Sequence, residues 1–334
     1  MATLFGSLFV FMLIIGLHEF GHFYMAKKAG IRVNEFSIGM GPQVFNKKRG
    51  GTTYSLRALP IGGFVAMEGE DELSSDPRSF NNASIGKRLA VVASGAGMNF
   101  VLAIVAFFLY TAILGYPTGT PVIGSLQENM PATEAGMVAG DKIISINDRE
   151  VSKWEDISKI VSEEDSTLKI LVDRGGETLT FSMESKEENG SKFIGVSPVY
   201  ERDILRSVKD GFVMTGAVIV SIIEVLKNLF TGAFSLDALS GPVGVVQVIG
   251  QTASNGFAPL LMITGFISAN LGFMNLLPIP ALDGGKIVFL LIEALRGKPL
   301  SEKIEMNLSL IGIALLFGLM IYVTIFGDLA RIIG

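Results

Sequence analysis

Read for polarity alone, the chain divides into long apolar runs and stretches where polar and apolar residues alternate. Leu4 to Leu17 is the first apolar run and Leu89 to Leu114 the second. A third covers Phe257 to Leu277, pauses at Pro278-Ile279-Pro280 and resumes from Ile287 to Leu295; a fourth spans Leu308 to Phe326. Helices of about 20 apolar residues cross a hydrocarbon layer of roughly 30 Å, so four transmembrane helices are predicted. The first run lacks a basic leading segment and a small-residue cleavage site, which marks it as a retained span rather than a signal peptide. Phe212 to Phe230 is also apolar, but Glu224 and Lys227 interrupt it, and it reads as a helix lying against the outer membrane face or leaning into it. Were it to cross fully, the later topology would invert.

Two regions between the spans alternate instead. Thr52 to Leu59, then Pro60-Ile61-Gly62-Gly63, then Phe64 to Met67 reads as a β-hairpin with a glycine-containing turn. From about 118 to 200, short β-type runs (Pro121 to Gly124, Lys142 to Asn147, Leu168 to Val172, Thr178 to Phe181) recur between turn signals and predict a small β-rich domain. The expected fold is an α-helical polytopic membrane protein of about four spans, with an inserted β-rich domain and a membrane-associated β-hairpin. Its expected segments are a first span (1–26), a loop with the hairpin (27–88), a second span (89–115) and the β-rich domain (116–202). Membrane-surface helices (203–255), a third transmembrane segment (256–296) and a last loop with the fourth span (297–334) follow.

Composition agrees: 49% of the 334 residues are apolar and the mean hydropathy is +0.50, which together are high for a soluble protein of this length. With no cysteine, disulfides, thiolate metal sites and cysteine nucleophiles are excluded. A net charge of -5, with basic residues neither dominant nor interleaved with exposed aromatics, speaks against nucleic acid as a partner. Basic residues cluster between the first two spans (Lys27, Lys28, Arg32, Lys47, Lys48, Arg49, Lys87, Arg88) and before the last (Arg296, Lys298, Lys303), which assigns both loops to the cytoplasm. Four-span parity then puts the β-rich domain and both termini on the outer side of the membrane.

The only two histidines stand four apart in His18-Glu19-Phe20-Gly21-His22. On a helix they share a face, so both imidazoles can reach one zinc while Glu19 sits beside them as a proton acceptor. Ionisable groups at bilayer depth are costly and are kept for function; the alternative is a pair of polar residues at a helix end. Zinc needs a third protein ligand and an open position for water, and no third histidine exists. Among the carboxylates of apolar stretches (Glu224, Asp237, Asp283, Glu293, Asp328), Asp283 follows a double-proline break and precedes Gly284-Gly285. Irregular backbone at that depth implies a polar cavity. Asp283 also suits a helix cap, and capping and ligation can coexist.

Ala135-Gly136-Met137-Val138-Ala139-Gly140-Asp141 through Asp148 resembles a stretch of PDZ domains, with Trp154 to Val161 similar to their longer helix. That likeness implies a peptide groove near Val122 to Leu126, with Ile123 and Gly124 as contacts to a peptide terminus. The alternative is a plug or spacer. The histidine motif, Leu282-Asp283-Gly284, Ser37 to Pro42, Ser94 to Asn99 and Ser240 to Gly244 together resemble the site-2 protease family of intramembrane zinc metalloproteases, in particular bacterial members with a PDZ domain. Ile38 and Met40 depart from the family's aromatic choices, and the proline of its Gly-Pro-x-x-Asn stretch is missing at Ala96.

The resemblance implies zinc held by His18, His22 and Asp283, Glu19 as general base, and Asn275 contacting substrate or the developing oxyanion. The physical alternative for Asn275 is an interhelical hydrogen bond. It further implies single-pass membrane proteins as substrates (anti-sigma factors, signal-peptide remnants) after a first cut, an active site toward the cytoplasm, and a membrane-inserted hairpin. An exposed hairpin edge, with Tyr54 and Leu56 as contacts, can pair with an unwound substrate; otherwise the hairpin merely covers the cytoplasmic mouth. Two rival functions are a metal-ion transporter, for which no internal repeat is evident, and a silent PDZ scaffold, which would not need Glu19.

Overall fold

The computed structural model describes residues 2–70, 72–164, 167–188, 191–232, 240–254 and 256–330. Along the chain run helix α1 (Ala2–Ala29), strands β1 (Val33–Arg49) and β2 (Thr52–Met67), and helix α2 (Ile85–Leu114). Next come β3 (Tyr116–Pro117), β4 (Ile123–Leu126), α3 (Pro131–Glu134), β5 (Lys142–Ile146), β6 (Arg149–Glu150), α4 (Trp154–Glu163), β7 (Leu168–Arg174) and β8 (Glu177–Met183). The short strands β9 (Lys186–Glu188), β10 (Ser191–Phe193), β11 (Val196–Pro198) and β12 (Tyr200–Glu201) follow. The remaining helices are α5 (Ile204–Phe230), α6 (Pro242–Ser254), α7 (Phe257–Asn275), α8 (Asp283–Arg296) and α9 (Glu302–Tyr322), the last continued by a π-helical stretch, Val323–Leu329. Two compact units result: residues 1–110 with 205–334, and residues 111–204.

In the first unit, five helices among the described residues are long and apolar enough to cross a membrane: Gly6–Ala29, Ile85–Leu114, Ile204–Leu229, Phe257–Asn275 and Glu302–Leu329. Four were expected, and the additional one contains the Phe212 to Phe230 segment. Its helix starts at Ile204 and ends at Phe230, and Glu224 and Lys227 fall within the last two turns, where such side chains can extend toward an interface. Its first half packs on α2: a Cβ on Gly211 would stand 2.7 Å from the Ile104 carbonyl, and Met214 and Val218 cover Ala103 and Phe107. Asp283 nevertheless meets α1, because α6 and α7 return along it, Ile249 packing with Val10 and Ile14 and Leu260 to Leu271 against the same cluster.

Gly30 ends α1 in the left-handed conformation (φ 80°), and the Ile31 N–H donates to the Ala26 carbonyl at 2.9 Å, with Lys27 and Lys28 at the negative end of the helix dipole. The expected hairpin is arranged differently from a local reading. β2 is bent, and its halves do not pair with each other: Val33 to Ile38 lies between them, bonded to Thr53–Leu56 on one side and Gly63–Met67 on the other. Phe45 to Arg49 then pairs with the outer side of Thr52–Leu56. Gly63–Met67 is thus an edge, with no strand on its far side among the described residues.

In the second unit, the antiparallel sheet β6-β5-β7-β8 is covered by α4, whose Ile157, Ile160 and Val161 join Ile143, Ile146, Leu168, Ile170 and Val172 in one buried core. The fully buried carboxylate of Asp141 accepts from Arg174 Nε at 2.7 Å, Arg174 Nη2 at 2.8 Å and the Val138 amide at 3.0 Å, tying the start of β5 to the end of β7. Hydrogen bonds from Arg174 hold its carboxyl below the usual range. Because the folded pKa is depressed, this contribution is complete above the unfolded value near 4 and is lost as pH falls through the folded one. Asp141→Ala is expected to destabilise the unit by about 3 kcal/mol, the lower end for breaking a buried pair because Arg174 keeps some solvent contact. Hydrogen exchange read at the β5 and β7 amides in the full chain tests this; protection unchanged at neutral pH would refute it.

Candidate metal centre

The four-residue spacing of His18 and His22 puts both rings on one face of α1, with ring centroids 4.8 Å apart and Nε2 atoms 3.2 Å apart. The third group arrives from the double-proline break. α7 ends at Asn275, the chain turns through Pro278 and Pro280, and Ala281 takes a left-handed φ of 81° before α8 begins. The turn is tight enough that a Cβ on Gly284 would lie 2.1 Å from the Leu277 carbonyl oxygen. Leu282 occupies the N-cap and Asp283 the first helical position, so the carboxylate does not cap its helix. Its Oδ2 instead lies 3.5 Å from Nε2 of both His18 and His22.

Three ligand atoms within 4.8 Å of one another, from two imidazoles and a carboxylate, match a zinc donor set. Asp283 Oδ2 is buried and has no hydrogen-bond partner, an arrangement that costs free energy unless a cation satisfies it. The residues present therefore fit a metal ion. They line a pocket of about 190 Å³ with Glu19, Phe64, Val65 and Lys286, the last paired to Glu70 at 2.7 Å on the rim. Glu19 Cγ would stand 3.3 Å from a Cβ on Gly63, so the edge strand passes directly beside it.

Helix α2 forms the wall behind the rings, a role not read from the sequence. His22 Nδ1 lies 2.9 Å from the Val91 carbonyl, which can only accept; the ring hydrogen is therefore on Nδ1 and the Nε2 lone pair faces the pocket. One turn along, a Cβ on Gly95 would fall 2.2 Å from His22 Nε2 and 2.7 Å from His18 Cε1. A further turn brings Asn99, fully buried, to His18 Nδ1 at 3.2 Å. The i, i+4, i+8 spacing of Val91, Gly95 and Asn99 and a run of small residues, Ala93 to Gly97, within the apolar span were the available signals.

The other residues singled out from the sequence lie elsewhere. Among the remaining carboxylates, Glu293 pairs with Arg88 at 2.5 and 3.0 Å, and Asp328 accepts from the Gly241 amide at 2.9 Å; Glu224 sits on α5, and Asp237 is outside the described residues. Asn275 makes no side-chain hydrogen bond among the described residues, so the interhelical bond weighed for it is not formed, and it does not line the pocket. Tyr54 packs edge-on against Phe23 (5.8 Å) and Phe36 (6.3 Å) on the interior half of β2, and neither it nor Leu56 reaches the pocket. Ile123 is fully buried in the second unit's core, and Gly124 backs onto the Pro198 carbonyl. The groove expected near them is instead a cavity of about 330 Å³ between α4 and Lys192–Val196, because β4 is closed off by β11.

A family model described as Peptidase family M50 matches residues 6–319. The chain is 40% identical over 326 residues to a Clostridium acetobutylicum protein provisionally named a zinc metalloprotease, covering 96% of this chain and 95% of the other. It is 32% identical to the zinc metalloprotease RasP of Bacillus licheniformis (99% and 100% covered). To the regulator of sigma-W protease RasP of Bacillus subtilis it is 33% identical, with 99% of each chain covered.

Proposed function

Because the chain belongs to peptidase family M50, the site-2 protease family, we propose that it is an intramembrane zinc metalloprotease that hydrolyses peptide bonds within or near the transmembrane segments of single-pass membrane proteins. The observation that carries this reading is the convergence of Asp283, with one orphaned carboxylate oxygen, on His18 and His22 of a helix long and apolar enough to cross a bilayer. The names of its relatives point to zinc. Bound by these three residues, zinc supplies a water of lowered pKa and a Lewis acid for the scissile carbonyl. Glu19 takes the proton of the attacking water and returns it to the leaving amine as the C–N bond breaks.

A transmembrane helix hides its own peptide bonds, so the substrate must be held extended. The open edge Gly63–Met67, beside Glu19, suits that task better than the interior half of β2 carrying Tyr54 and Leu56. In this reading substrates have already lost their outer domains, as anti-sigma factors and signal-peptide remnants do. The residue 111–204 unit is a PDZ-like filter on the extracytoplasmic side whose α4 groove takes peptide termini, and the metal pocket opens toward the cytoplasm of a bacterial cell. The basic residues flanking the first two spans support that orientation.

A cleavage assay on single-pass proteins, full length and shorn of their outer domains, tests the proposal. The intact chain is expected to cut the shorn forms and to spare the full-length ones. Deleting 118–197 is expected to raise cleavage of full-length substrates about tenfold, as removal of a steric filter worth about 1.4 kcal/mol would, while leaving shorn substrates little affected. Equal loss on both would sink the filter, and no cleavage of any substrate by the metal-loaded chain would sink the protease reading.

A further inference from the structure

The two histidines are not supported alike. His22 has its tautomer dictated by the Val91 carbonyl at 2.9 Å, whereas the His18 ring has the Gly95 main chain as one partner and, at Nδ1, the side-chain amide of Asn99, an acceptor and a donor on one carbon. As oriented, Asn99 Nδ2 is 3.2 Å from His18 Nδ1, while Asn99 Oδ1 is buried with no partner. That orientation makes Nδ1 the acceptor and places the ring hydrogen on Nε2, the nitrogen that points at Asp283 and His22. A ring in that state has no lone pair to offer a metal at Nε2. Turning the amide by half a revolution exchanges its oxygen and nitrogen in the same space. Oδ1 then accepts from Nδ1–H, Nδ2 takes the position Oδ1 held, and the Nε2 lone pair is freed.

α7 packs against the main chain at Asn99: Ser268 Oγ donates to its carbonyl at 2.8 Å, and a Cβ on Gly272 would lie 3.1 Å from Asn99 Cβ. We propose that Asn99 is a positioning residue for His18, its Oδ1 accepting the Nδ1 hydrogen so that Nε2 is presented to the metal, as the Val91 carbonyl does for His22. The inference rests on the metal-site reading of His18, His22 and Asp283. Such outer partners fix ring orientation and ligand basicity, and their loss costs about 10- to 100-fold in metal affinity.

The test uses the full chain in detergent, with zinc alone as probe. Release of zinc to a chelator is measured for wild type, Asn99→Leu, Asn99→Asp and Ser268→Ala. Expected is release about 10- to 100-fold faster from Asn99→Leu, release from Asn99→Asp no faster than wild type because a carboxylate also accepts, and wild-type release from Ser268→Ala, which disturbs only the link to α7. Asn99→Leu behaving as wild type, or Ser268→Ala losing zinc as fast as Asn99→Leu, would overturn the inference. Nitrogen-15 spectra of histidine-labelled wild type need no variant: two histidines give four ring nitrogens, and both Nδ1 atoms are expected to carry hydrogen in the zinc form. A bare Nδ1 on either ring would overturn it too. A wild type that binds no zinc would end the metal-site reading, and this inference with it.

Discussion

Glu19→Gln is expected to leave zinc bound and to lower peptide-bond hydrolysis by about 10²- to 10⁴-fold, the range of a lost general base. Glutamine keeps the shape of the side chain and its place on α1 beside the Gly63 edge, but it cannot accept and return a proton. The three atoms that converge on the ion come from His18, His22 and Asp283, so nothing in the ligand set changes. Metal content and turnover are measured on one preparation. Zinc lost together with activity would reassign Glu19 to the metal; activity retained would remove it from the reaction.

Gly95→Ala is expected to be as damaging through a different cause. Its methyl would stand 2.2 Å from His22 Nε2 and 2.6 Å from His22 Cε1, closer than carbon and nitrogen can approach. Neither ring can yield cheaply, since His22 is bonded to the Val91 carbonyl and His18 lies against Asn99. Metal affinity is expected to fall by about 100-fold or more, beyond the loss of an outer hydrogen bond, and activity with it. Gly97→Ala, two residues along the same helix with nothing within 4 Å, is the control; there the methyl is expected to stabilise by about 0.5–1 kcal/mol through helix propensity. Zinc titrations of the two variants separate the explanations. Equal affinities would mean that α2 can move away from the rings.

Much of the site was legible because it is written in short-range spacing. Histidines at i and i+4 share a helix face in any helix, and a proline-broken, glycine-flanked carboxylate in an apolar run has few purposes there. The hairpin was legible as two β-prone halves but not as a sheet. Local pairing joins Thr52–Leu59 to its neighbour Phe64–Met67, whereas Val33 to Ile38 comes from earlier in the chain and takes the position between them. Tyr54 and Leu56, suggested as substrate contacts, lie on the interior half of β2 for that reason. In the second unit β4 was taken for the groove wall, yet residues 70 positions later, Val196 to Pro198, cover it and leave the cavity at α4.

The span count shows the same division. Glu224 and Lys227 read as interruptions of an apolar run bounded at Phe212, whereas the helix begins at Ile204, two turns earlier, and sets Gly211 against α2.

What the sequence determined by itself is the membrane character of the chain, the helix that carries two imidazoles on one face, and the identity of the carboxylate that joins them. Those depend on periodicity and on the cost of charge in hydrocarbon, both local properties. Only the tertiary structure decided that Gly95 leaves room for the rings, that Val91 and Asn99 stand behind them, and that Gly63–Met67 is the open edge. The first two arise where α2 closes on α1 and α7 on α2 across 69 to 169 residues of chain, the third where β1 enters between the halves of β2, and such packing leaves no periodic trace in the residues that meet.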